Sequence, residues 1–384
     1  MKGTSFRNLK TATRRHAMKK LLTLLLSAAF VLGMYLPAAA AEWDFYGNAR
    51  VSTFYTDYDD GLGDTTELTH ELQGNARVGS HVTTDYVDAN FEVDAAADDV
   101  RIRHLYGTFA LGEGEMLVGQ TWTPLAQPAL NVGGQVYADD NAMDEFLGTN
   151  YRKAQVAYSI EGFTFALVEP VVAGTYETEE VIGEDGGDND VVAPATEEID
   201  PEVQLPQISA AYQMDMDGQN FGIAGAFQTY DIDSGDGDSL DSYTISGFYH
   251  NYMYDPVYFQ VGGFYGQNAR NMGVYGGLVD EAAGLSYAEV DDEGNVNEDA
   301  DSFGFAGAVG TDLNGIGVEA GVGFRNDEVG DAEVDTLGTY AQANIPVTAD
   351  GSAFIVPELG YYNYDHDDDD EDVIYGGLKF QANF

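Results

Sequence analysis

The sequence predicts an all-β protein whose strands close into a 16-stranded antiparallel barrel across a membrane. Three observations lead to this fold class: apolar and polar side chains alternate, tight turns and long loops succeed one another, and an export leader comes first. The 384 residues include 46 glycines, 25 tyrosines and 20 phenylalanines, but no cysteine. A chain without cysteine has neither disulfides nor thiolate metal sites.

The leader occupies the first 41 residues. Seven of the 16 basic side chains, and no acidic one, lie in the first 20 positions, ahead of an apolar run from Leu21 to Leu36 and four alanines after Pro37. This order predicts a signal peptide that is removed after Ala41, with Met18 as an alternative start to Met1. The protein is therefore expected to be exported.

The remaining part, residues 42–384, is predicted to be a single barrel domain. It keeps nine basic side chains against 66 acidic ones, a net charge of -57. This charge excludes a nucleic-acid-binding protein, because phosphate contacts need clustered lysine and arginine.

Period two is clear in several segments, which are Glu71–Ser80, Val87–Ala95 and Ile316–Arg325. In the second of these, valine, alanine and phenylalanine alternate with aspartate, asparagine and glutamate, as in a strand with one apolar face. A soluble sheet would show the same alternation. The pattern alone therefore leaves open a soluble, acidic, secreted β-protein, such as a calcium-binding surface protein or an adhesin.

The spacing of turns and loops favours the barrel. Tight turns are expected at residues 161–162, 217–218, 255–256 and 314–315, and they alternate with long or acidic loops around 172–204, 231–240, 268–301 and 327–334. Outer-membrane barrels have this succession of short periplasmic turns and long external loops. About 16 strands result, and an even number closes the sheet without a free edge.

The carboxyl-terminal strand carries a further signal. Apolar or small side chains alternate from Ile374 to the terminal aromatic residue, with Phe380 and Phe384 on the same face. We interpret these two phenylalanines as the assembly signal that the outer-membrane β-barrel assembly machinery reads.

Leader, loop succession and terminal strand together resemble the general porins of Gram-negative outer membranes. The segments Arg103–Gly107 and Gly119–Leu125 are similar in particular to the homotrimeric porins of sulfate-reducing bacteria. The resemblance implies a homotrimer in the outer membrane, in contact with lipid and lipopolysaccharide, that passes small hydrophilic solutes by passive diffusion. Small outward-facing residues suggest the trimer interface, although a twisted strand also tolerates glycine without any partner; these residues are Gly47, Ala49, Gly74, Ala76 and Gly107.

In porins the third external loop folds inward and narrows the pore. The matching segment here is Thr123–Asn150, with Gly133-Gly134 as a loose substitute for the Pro-Glu-Phe-Gly-Gly motif of enterobacterial porins. The predicted constriction consists of the loop acids Asp139, Asp140, Asp144 and Glu145 and the wall bases Arg50, Arg77, Arg101, Arg103 and Lys153. Arg101 and Arg103 share the parity of outward Leu105, so they face the lumen only if a β-bulge shifts the register.

The external loops are strongly acidic, with eleven acids and no base between Glu177 and Glu202. One loop places Asp231, Asp233, Asp236 and Asp238 at short intervals, but it lacks the residue order of an EF-hand. We interpret these carboxylates as solvated loop residues and expect no cofactor. Weak Ca²⁺ or Mg²⁺ binding at the cell surface remains the alternative.

No catalytic motif is recognisable, and the five histidines of the exported part show no metal-ligand spacing. We therefore expect no enzyme. The sequence favours a non-selective, weakly cation-preferring pore over a solute-specific one, because the chain is acidic and no row of aromatic residues for sugar transport is evident.

Overall fold

The structure is a computed structural model that describes residues 41–59, 64–96, 99–126, 146–148, 152–171, 202–203, 205–231, 239–274, 289–290, 296–330, 332–366 and 370–384. Within these residues one antiparallel sheet closes on itself as a barrel. None of the helical segments described is long and apolar enough to cross a membrane. Two short 3-10 helices, Pro124–Ala126 and Ala269–Met272, and a small ribbon of Glu289–Val290 and Val296–Glu298 accompany the barrel.

The barrel has sixteen strands, because two of them are interrupted and continue on the same neighbour. In chain order the strands are β1 (Ala41–Asp59), β2 (Asp64–Leu72 and Arg77–Thr84), β3 (Asp88–Ala96), β4 (Asp99–Leu111), β5 (Gly114–Trp122), β6 (Arg152–Ile160), β7 (Phe163–Val168), β8 (Glu202–Val203 and Gln207–Met216), β9 (Gln219–Asp231), β10 (Ser239–Tyr254), β11 (Val257–Gln267), β12 (Ala300–Asp312), β13 (Gly317–Val329), β14 (Ala332–Pro346), β15 (Ala353–His366) and β16 (Asp370–Asn383). The predicted strand number and antiparallel closure are confirmed.

The first and last strands close the barrel. Their register runs from the Asn48–Asn383 pair to the Asp59–Asp372 pair. Beyond it, Gly47 and Phe384 exchange two backbone hydrogen bonds of 2.8 and 2.9 Å between their amide nitrogens and carbonyl oxygens. The closed sheet therefore pairs its backbone groups without an open edge, as a hydrocarbon environment requires.

The apolar stripes face outward and are exposed. Phe165, Phe305 and Ile374, on three different strands, are each more than half exposed, and similar side chains lie around the barrel. No second sheet covers them in the described part of the chain. The arrangement therefore favours a lipid-facing belt and does not favour the soluble alternative.

Three of the tight turns have a common geometry. Glu161-Gly162, Asp217-Gly218 and Asn314-Gly315 all have positive φ at both positions. Two-residue hairpins adopt this geometry because its twist matches that of the paired strands. The β14–β15 turn instead uses Asp350, whose pKa is lowered to about 2 by hydrogen bonds from the Thr348 and Ser352 side chains.

Many glycines lie beneath aromatic rings of the neighbouring strand, on the lumen face. A Cβ at Gly310 would lie 2.2 Å from the Tyr258 ring, and one at Gly360 would lie 2.3 Å from the Tyr375 ring. The rings therefore lie flat against the wall, where larger residues would push them inward. This contact gives a physical reason for glycine at these positions.

The surface of small outward-facing residues that the sequence suggested as a trimer interface is only partly exposed. The Phe384 ring covers Gly47, since a Cβ there would lie 2.6 Å from it. Ala76 lies in the interruption of β2 and is 6% exposed. An oligomer interface on this side therefore remains a prediction.

Candidate functional site

The basic side chains that follow the leader are concentrated on the lumen face. Seven of the nine lie there by strand parity or by contact with lumen-facing acids: Arg50, Arg77, Arg101, Arg103, Lys153, Arg325 and Lys379. The five wall bases predicted from the sequence all belong to this set. In a chain this acidic, such placement makes the lumen wall the candidate site.

Six lumen-facing groups form a charged wall on β2, β3 and β4, namely Arg77, Glu92, Asp94, Arg101, Arg103 and His104. Arg103 Nε donates to Glu92 Oε1 at 2.7 Å, and its Nη1 donates to Asp94 Oδ2 at 3.1 Å. Arg101 donates through Nε and Nη2 to the two oxygens of Asp94, at 3.2 and 3.1 Å. Arg77 Nη1 lies 3.7 Å from Glu92 Oε1. The wall therefore pairs each of its arginines with a carboxylate.

A β-bulge creates this cluster. Glu92 pairs with His104, whereas Val93 pairs with Ile102, so Arg103 is the extra residue in β4. The shift in register turns Arg101 toward the lumen. It is the β-bulge that the sequence required for Arg101 and Arg103 to face the lumen. Without it both arginines would face lipid, at a cost of about 2–4 kcal/mol each near the bilayer midplane.

At the upper end of β5 the chain leaves the wall to begin the third loop. Gln155 Nε2 donates to the carbonyl oxygens of Thr121 and Trp122 at 3.1 and 2.8 Å. Arg152 stacks on the Trp122 ring, with 3.7 Å from Cζ to the ring centre. These contacts fix the point at which the loop departs.

The described parts of the Thr123–Asn150 segment lie inside the barrel. The Pro124–Ala126 helix is buried, and Phe146 and Leu147 are fully buried. A Cβ at Gly323 or Gly338 would lie within 2.7 Å of the Phe146 ring, so this ring packs on the β13 and β14 wall, opposite the strands from which the loop departs. The segment therefore reaches across the lumen.

The loop is received by an aromatic wall on β1, β14, β15 and β16, which consists of Phe54, Tyr340, Tyr362, Tyr364 and Tyr375. The Phe146 and Tyr362 rings are parallel to within 11°, with their centres 6.4 Å apart. All five wall residues are at most 4% exposed. These rings serve as packing for the loop and are not available as a surface for passing solutes.

Three further charged groups were not predicted as site residues. Arg325 is fully buried, and its Nε and Nη2 donate to Asp327 at 2.6 and 2.8 Å. Its guanidinium also lies 5.4 Å from the centre of the Phe264 ring. Lys379, on β16, is 2% exposed. The alternation did place Arg325 and Lys379 on polar faces, but it gave no reason to choose them.

A row of polar side chains crosses the lumen face of β13, β14 and β15. Glu319 pairs with Gln342, and Gln342 pairs with Glu358. Glu319 Oε1 accepts from the Tyr340 hydroxyl at 2.6 Å and from Gln342 at 3.0 Å, and its Oε2 accepts from Tyr258 at 2.7 Å. All three donors are neutral, so this carboxylate is held in place without being compensated by a base.

The remaining predicted site residues are the loop acids and the two phenylalanines of the assembly signal. Asp139, Asp140, Asp144 and Glu145 lie outside the described residues, as do Asp233, Asp236 and Asp238. No group of three or more potential metal ligands occurs in the part of the chain that is described. Phe380 and Phe384 lie on the outward face, 45% and 73% exposed.

The likeness of this chain to known proteins lies in its fold. No protein-family model and no curated protein matches the sequence. The outer membrane channel DcaP of Acinetobacter baumannii superposes with a TM-score of 0.65 at 16% identity, over 91% of this chain and 99% of that one. The anion-selective porin from Comamonas acidovorans gives a TM-score of 0.55 at 10% identity, over 90% and 100%.

OmpF of Salmonella typhi, solved with daunomycin, gives a TM-score of 0.51 at 12% identity, over 91% of this chain and 99% of that one. The chain has the fold of an outer-membrane porin. At these identities the likeness concerns the barrel, and the residues that line this porin barrel are its own. The charged wall and the aromatic wall must therefore be interpreted from their own contacts.

Proposed function

We propose that the protein forms a water-filled channel for passive diffusion of small hydrophilic solutes and ions through the outer membrane, with a weak preference for cations. The observation that carries the proposal is the lumen wall itself. Away from the aromatic wall its side chains are polar and charged, and sixteen strands enclose a space too wide for wall side chains to fill. A wet channel follows from this geometry.

The charge pattern supports cation preference. The arginines of the charged wall lie against Glu92 and Asp94, and Arg325 lies against Asp327. These pairs reduce the positive field of the wall but do not cancel it, since three arginines share two carboxylates and Arg50, Lys153 and Lys379 also face the lumen. The expected cation preference therefore depends on the large excess of acids over the whole chain and on Glu319, which is bonded to neutral donors. The covered aromatic wall favours a non-selective pore over a solute-specific one.

A reversal potential in a planar bilayer under a KCl gradient tests the proposal. We expect a potential of the sign that indicates cation preference, and anion preference would contradict it. Arg103→Gln should increase the cation-to-anion permeability ratio roughly threefold. A unit charge at about 7 Å in water contributes about 0.6 kcal/mol, with opposite sign for a cation and an anion, and salt screening with a Debye length of about 10 Å roughly halves this energy. Val118→Ala, on the outward face, is the control and should leave the ratio unchanged.

A homotrimer that is assembled by the β-barrel assembly machinery and embedded in lipid and lipopolysaccharide belongs to the same proposal. OmpT of Vibrio cholerae has been solved in a trimer form and gives a TM-score of 0.51 at 12% identity. We expect a heat-modifiable oligomer in the outer-membrane fraction. If external acids bind Ca²⁺ or Mg²⁺, a chelator should lower its melting temperature, and an unchanged temperature would exclude that role.

A further inference from the structure

Next to the bulge at Arg103, a backbone carbonyl of β4 has no neighbour in the ladder between β4 and β5. The register of these strands ends at the Leu105–Gln120 pair, and Ile102 lies beyond that end. The Gln120 amide Nε2 donates to the Ile102 carbonyl oxygen at 2.6 Å. A side-chain amide therefore takes the place of the missing ladder bond, which a lipid-facing wall requires.

The position of Gln120 is unusual for a polar side chain. Its paired neighbours, Leu105 and Ala154, are exposed on the outward face, and so is Val118 on the same strand. An amide on such a face is unfavourable unless it is hydrogen-bonded. Its bond to Ile102 gives a physical reason for glutamine at this place.

Gly119 brings the two strands close enough for this bond. It has φ +132, and a Cβ there would lie 2.2 Å from the Leu105 carbonyl oxygen and 2.6 Å from the Tyr106 Cα. Only glycine fits this conformation and this close approach. Both residues of the Gly119-Gln120 dipeptide therefore fit the bulge of β4. The glycine permits the close approach of the strands, and the glutamine bonds to the Ile102 carbonyl oxygen.

We propose that Gln120, supported by Gly119, is a positioning residue that holds the bulge and thereby keeps Arg103 and Arg101 in the lumen. Gln120 contacts no solute and acts from the lipid-facing side, through the backbone of Ile102. Its effect on ion selectivity rests on the proposed function. Its effect on the orientation of residue 103 does not.

The absence of native cysteine allows a direct test of orientation. Arg103→Cys supplies a single thiol for a charged, membrane-impermeant methanethiosulfonate reagent. We expect rapid modification in the Arg103→Cys protein and at least tenfold slower modification when Gln120→Met is added, because residue 103 then turns toward lipid. Val118→Ala added to Arg103→Cys is the matched control and should leave the rate unchanged. Equal rates with and without Gln120→Met would overturn the inference.

A second experiment links orientation to transport. Gln120→Met alone should shift the permeability ratio in the same direction as Arg103→Gln and at least as far, because it turns Arg101 away from the lumen as well. In a protein that already carries Arg101→Gln and Arg103→Gln, adding Gln120→Met should shift the ratio no further. If Arg103→Gln shifts the ratio and Gln120→Met does not, the positioning role is wrong. If neither Arg103→Gln nor Gln120→Met shifts the permeability ratio while the rates of thiol modification differ, Gln120 does position residue 103, but the proposed ion selectivity is wrong.

Folding is checked by heat-modifiable mobility. Should Gln120→Met not yield a heat-modifiable barrel, Gln120→Asn replaces it in both experiments. This variant keeps the amide but shortens the side chain by one methylene, so the donor no longer reaches the carbonyl. The same expected and contrary results apply.

Discussion

The two sides of the lumen are built from different chemistry. The charged wall on β2 to β4 consists of ion pairs on a bulged strand, with the Arg101 side chain 60% exposed. The aromatic wall on β1 and β14 to β16 consists of rings that lie on glycines and are covered by the third loop. The difference indicates that the loop is anchored on one side by packing, whereas on the other side Arg101 is exposed to the lumen and Arg103 is buried against Glu92 and Asp94.

The largest effect should come from removing the anchor of the loop. Phe146→Ala deletes a fully buried ring from the aromatic wall, which costs about 3–5 kcal/mol of packing. We expect the loop to leave the wall and single-channel conductance to rise and become noisier. Phe305→Ala, on the outward face of β12, is the control. Unchanged conductance in Phe146→Ala would mean that the loop is held elsewhere.

Breaking the charged wall should have the next largest effect. Glu92→Gln removes the carboxylate shared by Arg77, Arg103 and His104. Arg103 then keeps only Asp94, and Arg77 loses its ion pair with Glu92, at a cost of up to about 3 kcal/mol, so the unfolding midpoint should fall and selectivity should move toward anions. Urea titration and reversal potential measure the two effects. Glu113→Gln, at the exposed β4–β5 turn, should change neither.

A smaller effect is expected where a ring lies on a glycine. Gly360→Ala places a methyl group 2.3 Å from the Tyr375 ring, and overpacking of this kind costs about 1–3 kcal/mol. We expect lower stability in urea, followed by the fluorescence of Trp43 and Trp122, and lower conductance as the ring tilts inward. Gly307→Ala, whose added methyl meets nothing closer than 3.4 Å, is the comparison. Equal losses in both variants would contradict the role of the ring.

The smallest effect should follow from neutralising the polar row. Glu319→Gln keeps the shape and removes one lumen charge, so the cation preference should decrease by roughly threefold or less. Stability should fall by only about 1 kcal/mol, because Tyr340 and Gln342 can still donate to the remaining oxygen and only Tyr258 loses its acceptor. Reversal potential measures the change, and an increase in cation preference would contradict the account of the field.

Period two and turn spacing were sufficient to predict the strand number, the two faces and the lumen parity of Arg50 and Arg77. The sequence showed that a bulge was needed for Arg101 and Arg103 to face the lumen, but it could not predict that the bulge forms, since this depends on contacts with β3 and on Gln120. Phe146 was not predicted, because a loop residue meets its wall partners through a fold that brings together segments some 160 to 220 residues apart. Sequence alternation likewise shows a glycine but not the ring that covers it.

The contact between ring and glycine on neighbouring strands has a consequence for how such a channel can diversify. The pore diameter of this barrel depends on local pairs such as Tyr258 with Gly310, and each pair involves only two adjacent strands. Exchanging the members of one pair would move a bulky group along the lining without altering strand number or shear. A few substitutions can therefore change the pore diameter while the barrel itself stays the same.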